Sequence, residues 1–140
     1  MEAREFLTTV RDRGNYFDRR EAEQVIRAVL PVLAERLGAD EAADVAAQLP
    51  ADLRDPMTSG IGPAEPFGPD EFLSRVARAL DASTETAKWD AGAVLSTLAD
   101  ALTGDQLQRL MTTLGPGYAI LFGKPEFAMR RATAEPVPSR

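Results

Sequence analysis

Glu5 and Glu71 head two similar stretches, Glu5-Phe6-Leu7 and Glu71-Phe72-Leu73. Equivalent acids brought together on facing helices are what a di-metal bundle or a carboxylate acid–base pair requires. A di-metal bundle completes its ligand set with Glu-x-x-His, and the sequence contains no histidine. Each glutamate is therefore read as complementing the positive end of its own helix. The absence of histidine also removes Ser-His-Asp and Cys-His arrangements and any proximal haem ligand. The absence of cysteine removes disulfides, thiolate zinc sites and cysteine nucleophiles. Acid–base work would fall to carboxylates with strongly shifted pKa values or to the two lysines, Lys88 and Lys124. No catalytic residue, metal ligand or cofactor-binding residue is assigned, and a carboxylate-based enzyme stands as the second alternative to the reading reached below.

Phosphate and nucleic-acid chemistry fares no better. Gly60-Ile61-Gly62 and Gly115-Pro116-Gly117 lack the lysine, the spacing and the preceding strand of a phosphate-cradling loop. Ala34 to Val45 spells helix, glycine turn, helix, but the second helix would read Asp40-Glu41-Ala42-Ala43-Asp44-Val45, which repels a phosphate backbone. Net charge is −6. Residues 1 to 66 carry 8 basic and 13 acidic groups, residues 67 to 123 carry 4 and 7, and residues 124 to 140 carry 4 and 2. An acidic body with a mildly basic tail argues against nucleic acid as a partner.

Two apolar features point to contact rather than to chemistry. Trp89 shares a helix side with Ala93, Ser96 and Asp100, away from the apolar stripe led by Val94 and Leu98, so it must cover something. Tyr118-Ala119-Ile120-Leu121-Phe122 is a dense apolar run standing where an earlier, similar stretch has Leu53-Arg54-Asp55. It must dock on the core, on another subunit or on a partner. Trp89, Tyr118, Ile120, Leu121 and Phe122 are the candidate partner-binding residues, and Phe127 and Met129 beside Arg130-Arg131 extend the same apolar surface.

The elements that position these residues follow from composition and from an internal repeat. At 44% hydrophobic and 27% charged residues the chain has enough apolar surface for a core, and only 6% of it is aromatic. Alanine and leucine dominate and β-branched runs are missing, which predicts an all-α fold. At an offset of 66, Glu5-Phe6-Leu7 meets Glu71-Phe72-Leu73 and Val10 meets Val76. At an offset of 65, Ala28-Val29-Leu30 meets Ala93-Val94-Leu95, Leu33-Ala34 meets Leu98-Ala99, and Leu37 and Leu49 meet Leu102 and Leu114. Nine of the 29 pairs from residue 22 to 50 are identical. Unrelated sequences of this composition would give about two or three, so the match is read as a duplication.

Each copy reads as three helices. The first spans about residues 3 to 13 and 70 to 80, the second copy's with Pro69 at its first position. The next spans 19 to 37 and 84 to 102, with Asp18 and Glu21 resembling a capping box, Gly38 as a stop and Pro31 as a source of curvature. The last spans about 40 to 48 and 105 to 114, each opened by a capping aspartate, Asp40 or Asp105. The expected architecture is a helical bundle of two tandem three-to-four-helix repeats with internal pseudo-symmetry. Residues 1 to 54 form repeat one, 55 to 68 a Pro/Gly-rich linker, 69 to 123 repeat two and 124 to 140 a mobile tail. No apolar run reaches the roughly 18 residues of a membrane span, and the N-terminus lacks a signal-peptide core, so the cytoplasm is the expected compartment.

The run Glu5-Phe6-Leu7-x-x-Val10, followed by Glu21-Ala22-Glu23, Arg27-Ala28-Val29-Leu30, Leu33-Ala34-Glu35-Arg36-Leu37 and Ala47-Gln48-Leu49-Pro50, resembles the bacterial proteins of domain of unknown function 2267. The likeness covers both copies, roughly residues 2 to 122, with Gly115 in place of the first copy's Pro50. It implies a helical bundle, often with the unit doubled, and carries no established activity. The function expected of the chain is that of a non-enzymatic interaction or scaffold module, engaging a protein partner or a second copy of itself. The first alternative is a small apolar ligand held between the repeats in a cavity lined by Val94, Leu98, Leu110 and Met111.

Overall fold

A computed structural model describes residues 1–59 and 61–127; Gly60 and the tail from residue 128, including Met129 and Arg130-Arg131, lie outside the described residues. Within these limits the chain is all-helical, with no strand. In chain order it forms α1 (Ala3–Gly14), α2 (Arg19–Leu37), α3 (Ala39–Ala46), a 3-10 turn (Ala51–Leu53) and α4 (Asp55–Thr58), followed by α5 (Pro69–Leu80), α6 (Thr84–Ala101), α7 (Gly104–Leu114) and a second 3-10 turn (Pro116–Tyr118).

Apolar residues at intervals of three and four make these segments helical and turn them inward. Ala22, Ile26, Val29, Leu30 and Leu33 of α2 are fully buried, as are Ala87, Ala91, Val94, Leu95 and Leu98 of α6. Helix ends are set by side chains. The Asp18 carboxylate accepts from the Glu21 amide at 2.9 Å, while the Glu21 carboxylate accepts from Phe17 N at 2.8 Å, one residue ahead of the cap. Ser83 caps α6 by accepting from the Thr86 amide at 3.1 Å. The caps expected of Asp40 and Asp105 go elsewhere. Thr103 and Gln106 form a reciprocal capping box that opens α7 one residue before Asp105. Gly38, at φ +88°, both ends α2 and opens α3, so Asp40 falls inside the first turn. Both aspartates still lie at the positive helix end that favours them. α2 runs on through Pro31 without a break.

Packing crosses between the two halves of the chain. α1 lies against α2 and α6, and α5 lies against α6 and α2, around one continuous core. The 55 to 68 segment, expected as a linker, carries α4 with Met57 fully buried. It then runs along the end of α2, where Ala39 N donates to Gly62 O and Glu65 N donates to Glu35 O, both at 3.0 Å. A Cβ on Gly38 would stand 2.7 Å from the Ala64 nitrogen, so this close passage requires glycine. Farther on, Phe67 O accepts from Arg36 Nε at 2.8 Å and from the Tyr118 hydroxyl at 2.7 Å. No helix among the described residues is long and apolar enough to cross a membrane.

Candidate functional site

The five candidate contact residues divide between core and surface. Tyr118, Leu121 and Phe122 are buried, the first and last almost completely, while Leu121 keeps a small exposed edge. Tyr118 sets its ring edge-on to Phe72 at 5.7 Å, and burial pushes its hydroxyl pKa upward. The turn after residue 118 explains the division. Leu121 N and Phe122 N both donate to Tyr118 O, and Gly123 N donates to Ile120 O, so the chain coils tightly. Tyr118, Leu121 and Phe122 point in, and Ile120 is left 66% exposed. Of the apolar residues expected to extend this surface, Phe127 packs half-buried against the core.

Trp89 is 59% exposed, but it is not loose. Its indole Nε1 donates to the carbonyl of Gly14 at 2.9 Å, tying α6 to the end of α1. Beside it, the Tyr16 hydroxyl donates to the Asp90 carboxylate. Asp90 is 6% exposed and is the one buried carboxylate among the described residues. Burial lifts its pKa above the ordinary carboxylate value, the hydrogen bond from Tyr16 opposes that shift, and the Glu21 charge adds to it. Burial and the bond to Asp90 push the Tyr16 hydroxyl upward in turn. Gly14 makes this seat possible, because a Cβ there would lie 2.1 Å from the Tyr16 ring. Two and three turns farther along α6, Arg13 donates to Ser96 Oγ at 3.0 Å and to the Asp100 carboxylate at 2.5 Å.

Trp89 and Ile120 line one open groove of about 560 Å³ along the outer side of α6. Gly92, Ala93 and Leu121 also line it, and Arg13, Glu85 and Lys88 supply its charge. The sequence pointed to Trp89 and Ile120 but missed their support in Gly14, Tyr16 and Asp90. One signal was available: at the offset of 65 Asp90 falls on Val25, and a carboxylate in a core position demands a buried partner. A second exposed aromatic, Phe17, is 91% exposed in the α1–α2 connection next to Tyr16, and nothing in the helical periodicity marks it.

The chemical alternatives find little to build on. Glu5 and Glu71 are both exposed. Glu71 is engaged by Arg75 at 2.9 Å and Arg78 at 3.5 Å, and its hydrogen bond from Arg75 lowers its pKa. The same Arg75 reaches Glu35 at 3.0 Å and Glu65 at 3.1 Å and lies 4.0 Å over the Phe67 ring. That cluster fastens the inter-helix segment to α2 and α5. The hydrogen-bond partner of Asp90 is a tyrosine, and among the described residues no group of three or more acids could hold a metal ion. Of the residues expected to line an inter-repeat cavity, Val94, Leu98 and Met111 are buried in the core. Leu110 lines a cleft of about 260 Å³ between α3 and α7 whose other walls include Glu41, Asp44, Gln48, Gln106 and Arg109. Such a polar rim does not make an apolar cage.

Sequence comparison supplies a family and no activity. No curated protein matches the chain. The model of an uncharacterized conserved protein family, DUF2267, matches residues 3–121, nearly the whole of the described helical body, and the chain belongs to that family.

Proposed function

We propose that this chain is a non-enzymatic docking module, acting in the cytoplasm, that engages another polypeptide through the groove between α6 and the 119 to 123 turn. One observation carries the reading. Trp89 and Ile120, two large apolar side chains more than half exposed, line the same groove, and Trp89 is held in place there by its bond to Gly14. Large aromatics fixed before binding lose little entropy on contact, which is how anchor residues concentrate affinity. A polypeptide side chain seated beside Trp89 would bury both residues.

The module is further proposed to be a duplicated unit, residues 1 to 54 and 69 to 123. Support comes from matched positions. Phe6 and Phe72, Val10 and Val76, Val29 and Val94, and Leu33 and Leu98 are all fully buried. The two 3-10 turns, Ala51–Leu53 and Pro116–Tyr118, stand 65 residues apart, the offset of the sequence repeat. On this reading the groove arises where the second unit departs from the first, with Trp89 and Ile120 at positions held by Gln24 and Asp55.

The test is native mass spectrometry of the protein isolated gently from its own host, beside the Ile120→Asp variant. A stoichiometric complex, with another chain or with a copy of itself, is expected for the unaltered protein and not for the variant. The thermal midpoint should stay within a few degrees because Ile120 is exposed. A bare monomer in both spectra would overturn the proposal.

A further inference from the structure

We infer that the α6 groove is a two-fold self-association surface, its occupant being a second copy of this chain. The inference rests on the docking reading above and names the partner. A two-fold contact requires one patch that carries both its projecting and its receiving parts, because each residue pair occurs twice. The groove meets that requirement in shape. Trp89 projects from α6, and one turn later Gly92 leaves a hollow, where an added Cβ would meet no atom within 4 Å. Ile120 stands on the same groove, and both apolar side chains would be covered in a symmetric contact.

Charge makes the stronger case. Glu85 and Lys88 both line the groove and both are exposed. Among the described residues neither is ion-paired within its own chain, although they lie three residues apart on α6. The third charged residue lining the groove, Arg13, is already paired with Asp100 within its own chain. One unpaired acid and one unpaired base are thus left on a single face. A uniformly acidic or uniformly basic partner finds no net charge to match there. A second copy matches both where the two-fold axis passes between these two positions, which sets Glu85 of one copy toward Lys88 of the other and the reverse. Each chain carries a net charge of −6, and at physiological ionic strength that general repulsion is screened beyond about 8 Å while contact pairs persist.

The experiment is sedimentation velocity on the full chain from about 1 to 200 μM, a span that covers Kd values of weak to moderate dimers. Unaltered protein, Lys88→Glu, Glu85→Lys and an equimolar mixture of the two variants are compared, with circular dichroism and thermal midpoints confirming that each is folded. A reversible dimer is expected for the unaltered protein. Each charge reversal alone should weaken self-association about tenfold or more, since like charges then meet twice across the axis. The mixture should recover the dimer, because in the mixed pair both cross-axis contacts are again of opposite sign. A monomer at every concentration overturns the inference, as does a dimer indifferent to both reversals or a mixture that fails to recover. If the monomer nonetheless comes out of its host bound to a different chain and Ile120→Asp loses it, the docking reading stands and only the second copy is excluded. A bare monomer in both experiments removes both.

Discussion

At the scale of single residues, Asp90 is the least expected feature of the molecule. Buried polar groups are tolerated when hydrogen-bonded, and Asp90 has the Tyr16 hydroxyl, but ionising a carboxyl at such a site works against folding. The sign follows from linkage. A carboxyl whose folded pKa lies above its unfolded value binds protons more tightly when folded, so its contribution to stability is fully present below the ordinary value of 3.8 and is lost as pH rises through the folded pKa. Asp90→Asn keeps an oxygen to accept from Tyr16 and removes the titration. The difference in thermal midpoint, variant minus unaltered protein, should therefore grow as pH rises from about 3.8 toward neutrality. Midpoints taken by circular dichroism across that range would decide it: a difference that stays flat would show that Asp90 titrates normally, and one that shrinks would show that its folded pKa is lowered instead. None of this was legible from periodicity, because α6 reads as an apolar stripe with an aspartate beside it. The partner of Asp90 lies 74 positions away, a distance that local sequence patterns do not bridge.

At the scale of elements, helix existence and face were legible because apolar spacing sets both. The prediction of 19 to 37 coincides with α2. Short, capped pieces were less legible. Pro56 and the surrounding glycines and prolines read as punctuation, which hid α4 and the burial of Met57. The run from Tyr118 to Phe122 announced burial without saying which side chain would be left out. A tight turn, not a helix or strand period, decides that Ile120 faces solvent, and a turn register cannot be read from five consecutive apolar residues. The seam between α1 and α6 was illegible for a similar reason, since it depends on what Gly14 lacks. Gly14→Ala places a methyl against the Tyr16 ring, whose displacement leaves the Asp90 carboxylate without its donor. The expected loss is about 1–3 kcal/mol, the cost of an unsatisfied buried acceptor. In a Tyr16→Ala background the ring is gone and the same change should cost nearly nothing, so a double-mutant cycle by urea denaturation isolates the coupling. Equal losses in both backgrounds would mean that Gly14 acts through the helix alone.

At the scale of the whole molecule, the matched stretches of sequence and the packing pull in different directions. A tandem repeat suggests two units that fold independently, each around its own stripe. The contacts say otherwise: α1 rests on α6 as well as on α2, and α5 on α2 as well as on α6. Trp89 and Arg13 bridge the halves at one seam, and Arg75 bridges them to Glu35 at the other. Each half alone would expose the apolar face that the other covers, and short helices without tertiary packing are marginal in water. A fragment of residues 1–62 and one of residues 63–140 should each show weak far-ultraviolet helical signal and no cooperative thermal transition. Mixed in equal amounts they should regain helix beyond the sum of the parts, and the intact chain should unfold in a single transition, as small single-core domains do. If either fragment alone melts cooperatively, the halves are self-sufficient and the crossing contacts are secondary. If both stay unfolded until mixed, the sequence encodes one cooperative body, and the α6 groove, whose Trp89 is fastened to α1, exists only when both halves are present.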